Sequence, residues 1–159
     1  MKNESGVTLI EVVSCVATFC VIAGIAYPTL ENTKSRMAIH SEVSKLVGEL
    51  HKARVFALKS NSSVVFCYND SGYKTFIDDG RDGGIKEDWV QQPGEQILAD
   101  VTLDNRIQID VEKSSFSLQR THFTKSPGVK AGAVVMRGCG GSKSKIIVNA
   151  IGRVRVEKM

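Results

Sequence analysis

The chain has 159 residues, 42% of them apolar, and a formal net charge of +4. That length holds one domain plus an anchor and excludes two full domains. The charge changes sign along the chain: residues 1–68 carry a net +2, residues 69–112 a net −7 and residues 113–159 a net +9. Such a split points to a polar partner, either nucleic acid or an acidic neighbouring subunit, or to two blocks that neutralise each other within the fold.

Near the N-terminus, residues 12–27 (VVSCVATFCVIAGIAY) carry no charge and, besides the phenol of Tyr27, only two hydroxyl side chains, Ser14 and Thr18. As a helix this run is about 24 Å long, and Val7–Ile10 extend it toward the ~30 Å of a bilayer core. A conventional signal peptide would need a basic start, a short apolar run and a small-residue cleavage site. Gly24-Ile25-Ala26 could serve as that site, but the start has only Lys2, offset by Glu4, and Glu11 lies inside the apolar stretch. A carboxylate in apolar surroundings is costly unless it finds a partner, and a disposable peptide has no use for one.

Pro28 should bend this helix rather than end it, because helical periodicity resumes beyond it. Ile39, Val43, Leu46, Val47, Leu50, Ala53 and Ala57 follow i, i+3, i+4, i+7 spacing, while Lys45, Glu49, Lys52 and Lys59 fall mainly on the other face. The same helix therefore turns amphipathic and buries one stripe against a sheet. It should stop near Ser60-Asn61, where turn formers gather.

The pattern then changes to short strands. Ser63–Tyr68 and Tyr73–Ile77 flank the turn Asn69–Gly72, and a polar loop follows over Asp78–Asp88. Gln96–Leu103, Ile107–Val111, Ser115–Leu118, Ala133–Met136, Lys145–Asn149 and Arg153–Val156 complete the set. Close spacing favours antiparallel pairing over βαβ units. The fold class expected is α+β: a long N-terminal helix packed on an antiparallel β-sheet head.

Four cysteines are present. Cys15 and Cys20 lie in the apolar run and read as buried small hydrophobes. Cys67 and Cys139 lie in the head, and export to an oxidising compartment favours pairing them. No metal and no cofactor is expected: the cysteine spacings match no zinc ligand set, and His40, His51 and His122 are scattered. The Asp78–Gly83 loop lacks the alternate acids of an EF-hand and reads as a solvated turn. Gly138–Lys145 lacks the glycine before Lys143 that a phosphate loop needs. No serine, histidine and acid are placed to suggest a hydrolase, so the chain reads as a non-enzyme.

The start of the chain resembles the leader of type IV prepilins and of type II secretion pseudopilins. The likeness rests on Gly6, on Thr8-Leu9-Ile10-Glu11 after it, and on the unbroken apolar run. The resemblance implies that prepilin peptidase cuts after Gly6 and methylates the new amine of Val7, where the family usually has phenylalanine. It also places Glu11 fifth and the helix-kinking Pro28 twenty-second in the mature chain, as in the family. The carboxylate of Glu11 would then pair with the N-terminal amine of a neighbouring subunit and favour axial registry. The alternative is that Glu11 merely lies near the lipid headgroups.

The head resembles the GspH/FimT family of minor pseudopilins and minor pilins. The likeness is carried by YKTFIDDGRDGG…EQIL, by Cys67 and Cys139 at strand ends, and by the closing IIVNAIGRVRVEK with its Gly-Arg-x-Arg signature. Side chains alternate along a strand, so Arg153 and Arg155 point one way and Val154 and Val156 the other. The arginines form a cationic comb, with Lys158 next in sequence and Arg137, Lys143 and Lys145 near enough to extend it. Guanidinium forks match phosphate oxygens. In FimT-like members this motif is associated with DNA binding during uptake, so the resemblance implies double-stranded DNA as a partner. Otherwise Arg153 and Arg155 pair with the acidic middle segment or face an adjacent subunit.

Four segments are thus expected: a cleaved leader (1–6), a transmembrane and assembly half of the helix (7–28), an amphipathic half (29–60) and a β-rich head (61–159). The implied partners are prepilin peptidase, major and minor pilins or pseudopilins, and inner-membrane lipid before assembly. The implied location is the bacterial inner membrane, crossed once with the head in the periplasm, and then a pilus or pseudopilus.

Overall fold

The computed structural model describes residues 8–80, 83–85, 87–124 and 129–159, without the side chains of Pro28 and Thr29. Two compact units are present, one up to Lys34 and one from Ser35 to Met159. A single helix, α1 (Leu9–Ser60), supplies residues to both and runs through Pro28 without ending there.

Within the first unit, residues 12–27 of α1 carry no charge and are apolar on every side. Phe19, Val21 and Ile22 are 72%, 64% and 60% exposed, uncovered among the described residues. A helix with no polar face belongs in lipid or among other helices, and this one is long and apolar enough to cross a membrane. The hydroxyls of Ser14 and Thr18 do not disturb that surface. Ser14 Oγ donates to the carbonyl of Ile10 and Thr18 Oγ1 to that of Ser14, each at 2.8 Å, which satisfies both within the helix.

In the second unit α1 buries the stripe that its periodicity predicts: Ile39, Val43, Leu46, Leu50, Ala53 and Ala57 are buried, with Val47 half-buried beside them. The pairs Glu42–Lys45 and Glu49–Lys52 decorate the rest, each closing at 2.6 Å. The helix stops at Ser60 because Asn61 turns left-handed, φ 55°, as a C-terminal cap does.

Eight strands follow among the described residues: β1 (Ser63–Asn69), β2 (Gly72–Asp78), β3 (Ile97–Thr102), β4 (Ile107–Ile109), β5 (Arg120–Phe123), β6 (Gly132–Gly138), β7 (Lys143–Val148) and β8 (Val154–Lys158). Every pairing is antiparallel. The strands form two sheets rather than one. Sheet A has the order β3-β2-β1-β5, and sheet B the order β4-β6-β7-β8.

One strand lies elsewhere than its pattern predicts. Ser115–Leu118 is not a strand; β5 begins at Arg120. Leu118 and Gln119 both adopt φ 56°, which breaks an extended run. Ser115 instead exchanges bonds with Ala133, donating to its carbonyl and accepting its amide on Oγ, both at 2.9 Å.

The inner faces of both sheets meet the α1 stripe in one core. Val64, Phe66 and Tyr73 come from sheet A, and Val134, Met136, Ile146 and Val148 from sheet B. Sheet A also buries its outer face. Val65 and Phe76, cross-strand partners, are 0% and 1% exposed there. Trp89 stacks on His122 of β5 with ring centroids 4.4 Å apart, and Lys130 lies over the indole at 4.1 Å.

Asp78 anchors that cover. It is fully buried, and its two carboxylate oxygens accept the amides of Glu87 at 2.7 Å and Trp89 at 2.9 Å. The base of the acidic loop is therefore folded onto the sheet, contrary to the solvated turn its composition suggests. Charge-assisted bonds to backbone amides repay the desolvation of the carboxylate.

Candidate assembly residues and a basic sheet face

At the start of α1, Glu11 supplies the side-chain half of a capping box to Thr8. Thr8 donates both its backbone amide and its hydroxyl to Glu11 Oε2, each at 3.3 Å, and Glu11 N donates to the carbonyl of Thr8 at 3.1 Å. The spacing Thr-x-x-Glu before an apolar run is the sequence signature of this device. It was legible in Thr8-Leu9-Ile10-Glu11 but hidden behind the more conspicuous question of a carboxylate in lipid. Within one chain, Glu11 is thus not bare. Gly6 and Val7, the expected cleavage and methylation positions, lie outside the described residues.

At the other end of the chain, the strand register sorts the candidate cations. Arg155 lies opposite Ile147, Lys145 opposite Glu157, and Arg137 opposite Lys143. Cross-strand partners share a face, and the core-facing residues of these strands are Val134, Met136, Ile146 and Val148. Arg137, Lys143, Lys145, Arg153 and Arg155 therefore share the face of sheet B turned away from α1. Two acids temper it. Arg137 is ion-paired with Asp110, whose carboxyl it holds below the ordinary range, and Arg155 Nη2 lies 3.8 Å from Glu157. Arg153 and Lys145 form no ion pair among the described residues. The acidic middle segment thus reaches this face through Asp110 and Arg137, not through the two arginines of the closing motif.

Lys158 does not extend the comb. It lies opposite Ser144, which is opposite Met136, so period-two alternation puts it on the side of α1. Val154 packs against the core as expected, but Val156 is 42% exposed because sheet B ends at β8.

The turn that launches the motif is held from below. Gly152 adopts φ 75°, and Arg54 Nη1 of α1 donates to its carbonyl at 2.9 Å. The amide of Arg153 donates to Asn149 Oδ1 at 2.7 Å. Nothing in the sequence marks Arg54 for this role, since it reads as one more helix cation.

The cysteines expected to pair stand apart. Cys67 is on the outer face of sheet A, its thiol directed at the carbonyl of Lys74 at 3.6 Å, and burial raises its pKa. Cys139 is exposed in the turn between β6 and β7 of the other sheet, where its amide donates to Arg106 O at 2.8 Å. Both are free thiols here, because each is held by a different sheet. Cys15 and Cys20, read as buried, are exposed on the apolar part of α1. In the acidic loop Asp78 spends both oxygens on amides, while Arg81 and Asp82 lie outside the described residues. Gly138–Lys145 is a hairpin, with Gly140 and Gly141 left-handed and Gly138 N bonded to Ser142 O at 2.9 Å.

Comparison with known proteins places these features. Residues 42–152 match the family model described as type II transport protein GspH. No curated protein matches the chain. Among solved structures, the chain is similar to the minor pseudopilin EpsH from the type 2 secretion system of Vibrio cholerae. The identity is 12%, with 76% of this chain and 97% of that one covered at a TM-score of 0.58. It is also similar to the type IV minor pilin FimU of Pseudomonas aeruginosa, at 12% identity, 80% and 90% coverage and a TM-score of 0.55. At such identities the likeness is one of fold.

Proposed function

The chain belongs to the GspH family of pilin-like proteins, and from that premise we propose that it is a minor type IV pilin that joins or primes a pilus and binds double-stranded DNA through sheet B. The reading rests on one observation above all: Arg137, Lys143, Lys145, Arg153 and Arg155 converge on a single face away from the helix. Guanidinium and ammonium groups at the two-residue spacing of a strand suit a run of backbone phosphates, which they would contact without reading sequence.

Assembly follows from the other end. Prepilin peptidase would cut after Gly6 and methylate Val7, leaving Glu11 fifth in the chain. The apolar part of α1 would hold the subunit in the inner membrane with its head in the periplasm. In a filament Glu11 would exchange its bonds to Thr8 for the amine of a neighbouring subunit.

The test is a band-shift assay on the purified chain in detergent. Binding should weaken as salt rises, and the Arg153→Ala/Arg155→Ala variant should lose most of it. Unchanged binding in that variant would remove the motif from the account.

A second reading has its own support. The matching family is described by type II transport, and EpsH belongs to a secretion system. On this reading the chain is a minor pseudopilin, and the basic face meets an acidic neighbour or cargo. A deletion strain scored for DNA uptake, twitching and secretion separates the two: loss of secretion alone selects the pseudopilin.

A further inference from the structure

The free edge of β8 borders a groove on the side of α1, opposite the arginine face. Backbone bonds fix which groups that edge offers. Asn149 N donates to Arg153 O at 3.1 Å and Met159 N to Lys143 O at 3.2 Å, so Arg155 and Glu157 between them spend their amides and carbonyls on β7. In an antiparallel pair the alternate residues point theirs outward. The amides and carbonyls of Val154, Val156 and Lys158 therefore face away from β7, and no other described strand pairs with them.

The groove beside this edge has a volume of about 760 Å³. Its floor is apolar: Val43 and Val47 from α1 meet Val156 and Met159, the last two 42% and 62% exposed. Its rim is cationic. Arg36 and Lys158 project there, no Asp or Glu side chain lines it, and neither cation is ion-paired among the described residues.

We propose that β8 and this groove take up an extended segment of a partner protein that carries both apolar residues and carboxylates on the face it turns to the groove, at every second position. The segment adds to sheet B as a fifth strand. Its backbone bonds to Val154, Val156 and Lys158, its apolar side chains cover Val156 and Met159, and its carboxylates meet Arg36 and Lys158. Unpaired strand edges are ready templates for such pairing, and side-chain alternation supplies the specificity. The carboxylates follow from charge: a groove with two unpaired cations and no acid side chain in its lining selects against a basic strand. This goes beyond the reading of the chain as a minor pilin and is independent of DNA contact, which uses the other face.

The test uses the full chain in detergent and a fluorescent eight-residue peptide in which valine and glutamate take turns at the odd positions with threonine between them, and the same peptide with lysine in place of glutamate as control. Anisotropy should show saturable binding of the acidic peptide only. Val156→Pro removes one outward amide and leaves the bonds to β7 intact, so it should fold as the wild type does and weaken binding about tenfold. Arg36→Glu/Lys158→Glu should weaken it further. Arg153→Ala/Arg155→Ala should leave it unchanged while lowering DNA binding, which separates this inference from the proposed function. Equal binding of the lysine peptide, or full binding by Val156→Pro, would overturn the proposal. Dimerisation of the wild type that Val156→Pro abolishes, without peptide binding, would overturn the occupant and assign the groove to a second copy.

Discussion

Arg54 and Gly152 are 98 positions apart in sequence, yet the guanidinium of one donates to the carbonyl of the other at 2.9 Å. This bond ties the C-terminal end of α1 to the turn that launches β8. Arg54→Met keeps the aliphatic stem and removes the donor, so it should cost about 1–2 kcal/mol of stability. Thermal unfolding by circular dichroism would measure it. Gly152→Ala should be at least as damaging. Its Cβ would stand 3.2 Å from Arg54 Nε and from Val129 Cγ2, at a left-handed φ that disfavours any side chain.

The capping box makes a second prediction. Thr8→Ala should fray the first turn of α1 by about 1 kcal/mol, seen as faster amide exchange over residues 9–12 in micelles. Serine at the same position should restore protection, since it supplies the same hydroxyl.

The sequence contains one tryptophan, which makes the cover of sheet A observable. Trp89 stacks on His122, whose pKa is lowered by burial first and then by Lys130, with Glu87 and Asp78 opposing. A folded-state pKa below the unfolded value means that the unfolded chain takes up the proton first. The stack therefore contributes its full stability above the ordinary histidine range near 6.5 and loses it as pH falls through the lowered pKa. Tryptophan emission should be flat near neutral pH and change only on acidification below that range. His122→Phe keeps the stack and should abolish the change.

Thiol accessibility offers a third check on the head. Cys139 is exposed, whereas Cys67 is half-buried and its thiol is held protonated by burial. A short maleimide pulse on unreduced protein, followed by peptide mass spectrometry, should label Cys139 well before Cys67. A Cys67–Cys139 cross-linked peptide would contradict the separation of the two sheets.

Long-period features of the fold were plain in the residues. The stripe from Ile39 to Ala57 could be counted along the helix, and Asn61 stands where the helix stops. The strand Arg120–Phe123 was not plain, because two of its four side chains, Arg120 and His122, serve the outer face and leave only Thr121 and Phe123 inside. Partition into two sheets also depends on long-range register, which no local pattern carries. Placement of Lys158 was available from parity alone: residues 153 and 155 differ from it by odd steps, so it had to face the other way. Burial of Asp78 was not available, since it depends on where the amides of Glu87 and Trp89 return in space.

Ser14 and Thr18 give their hydroxyl protons to their own helix, and that leaves the apolar part of α1 with little polar grip on neighbours. Packed among like helices, such a surface would be slippery, held by shape more than by direction. Glu11 would then be the one strongly charged marker of height along the stack, and a subunit missing it should still sink into lipid but find no rung at which to stop.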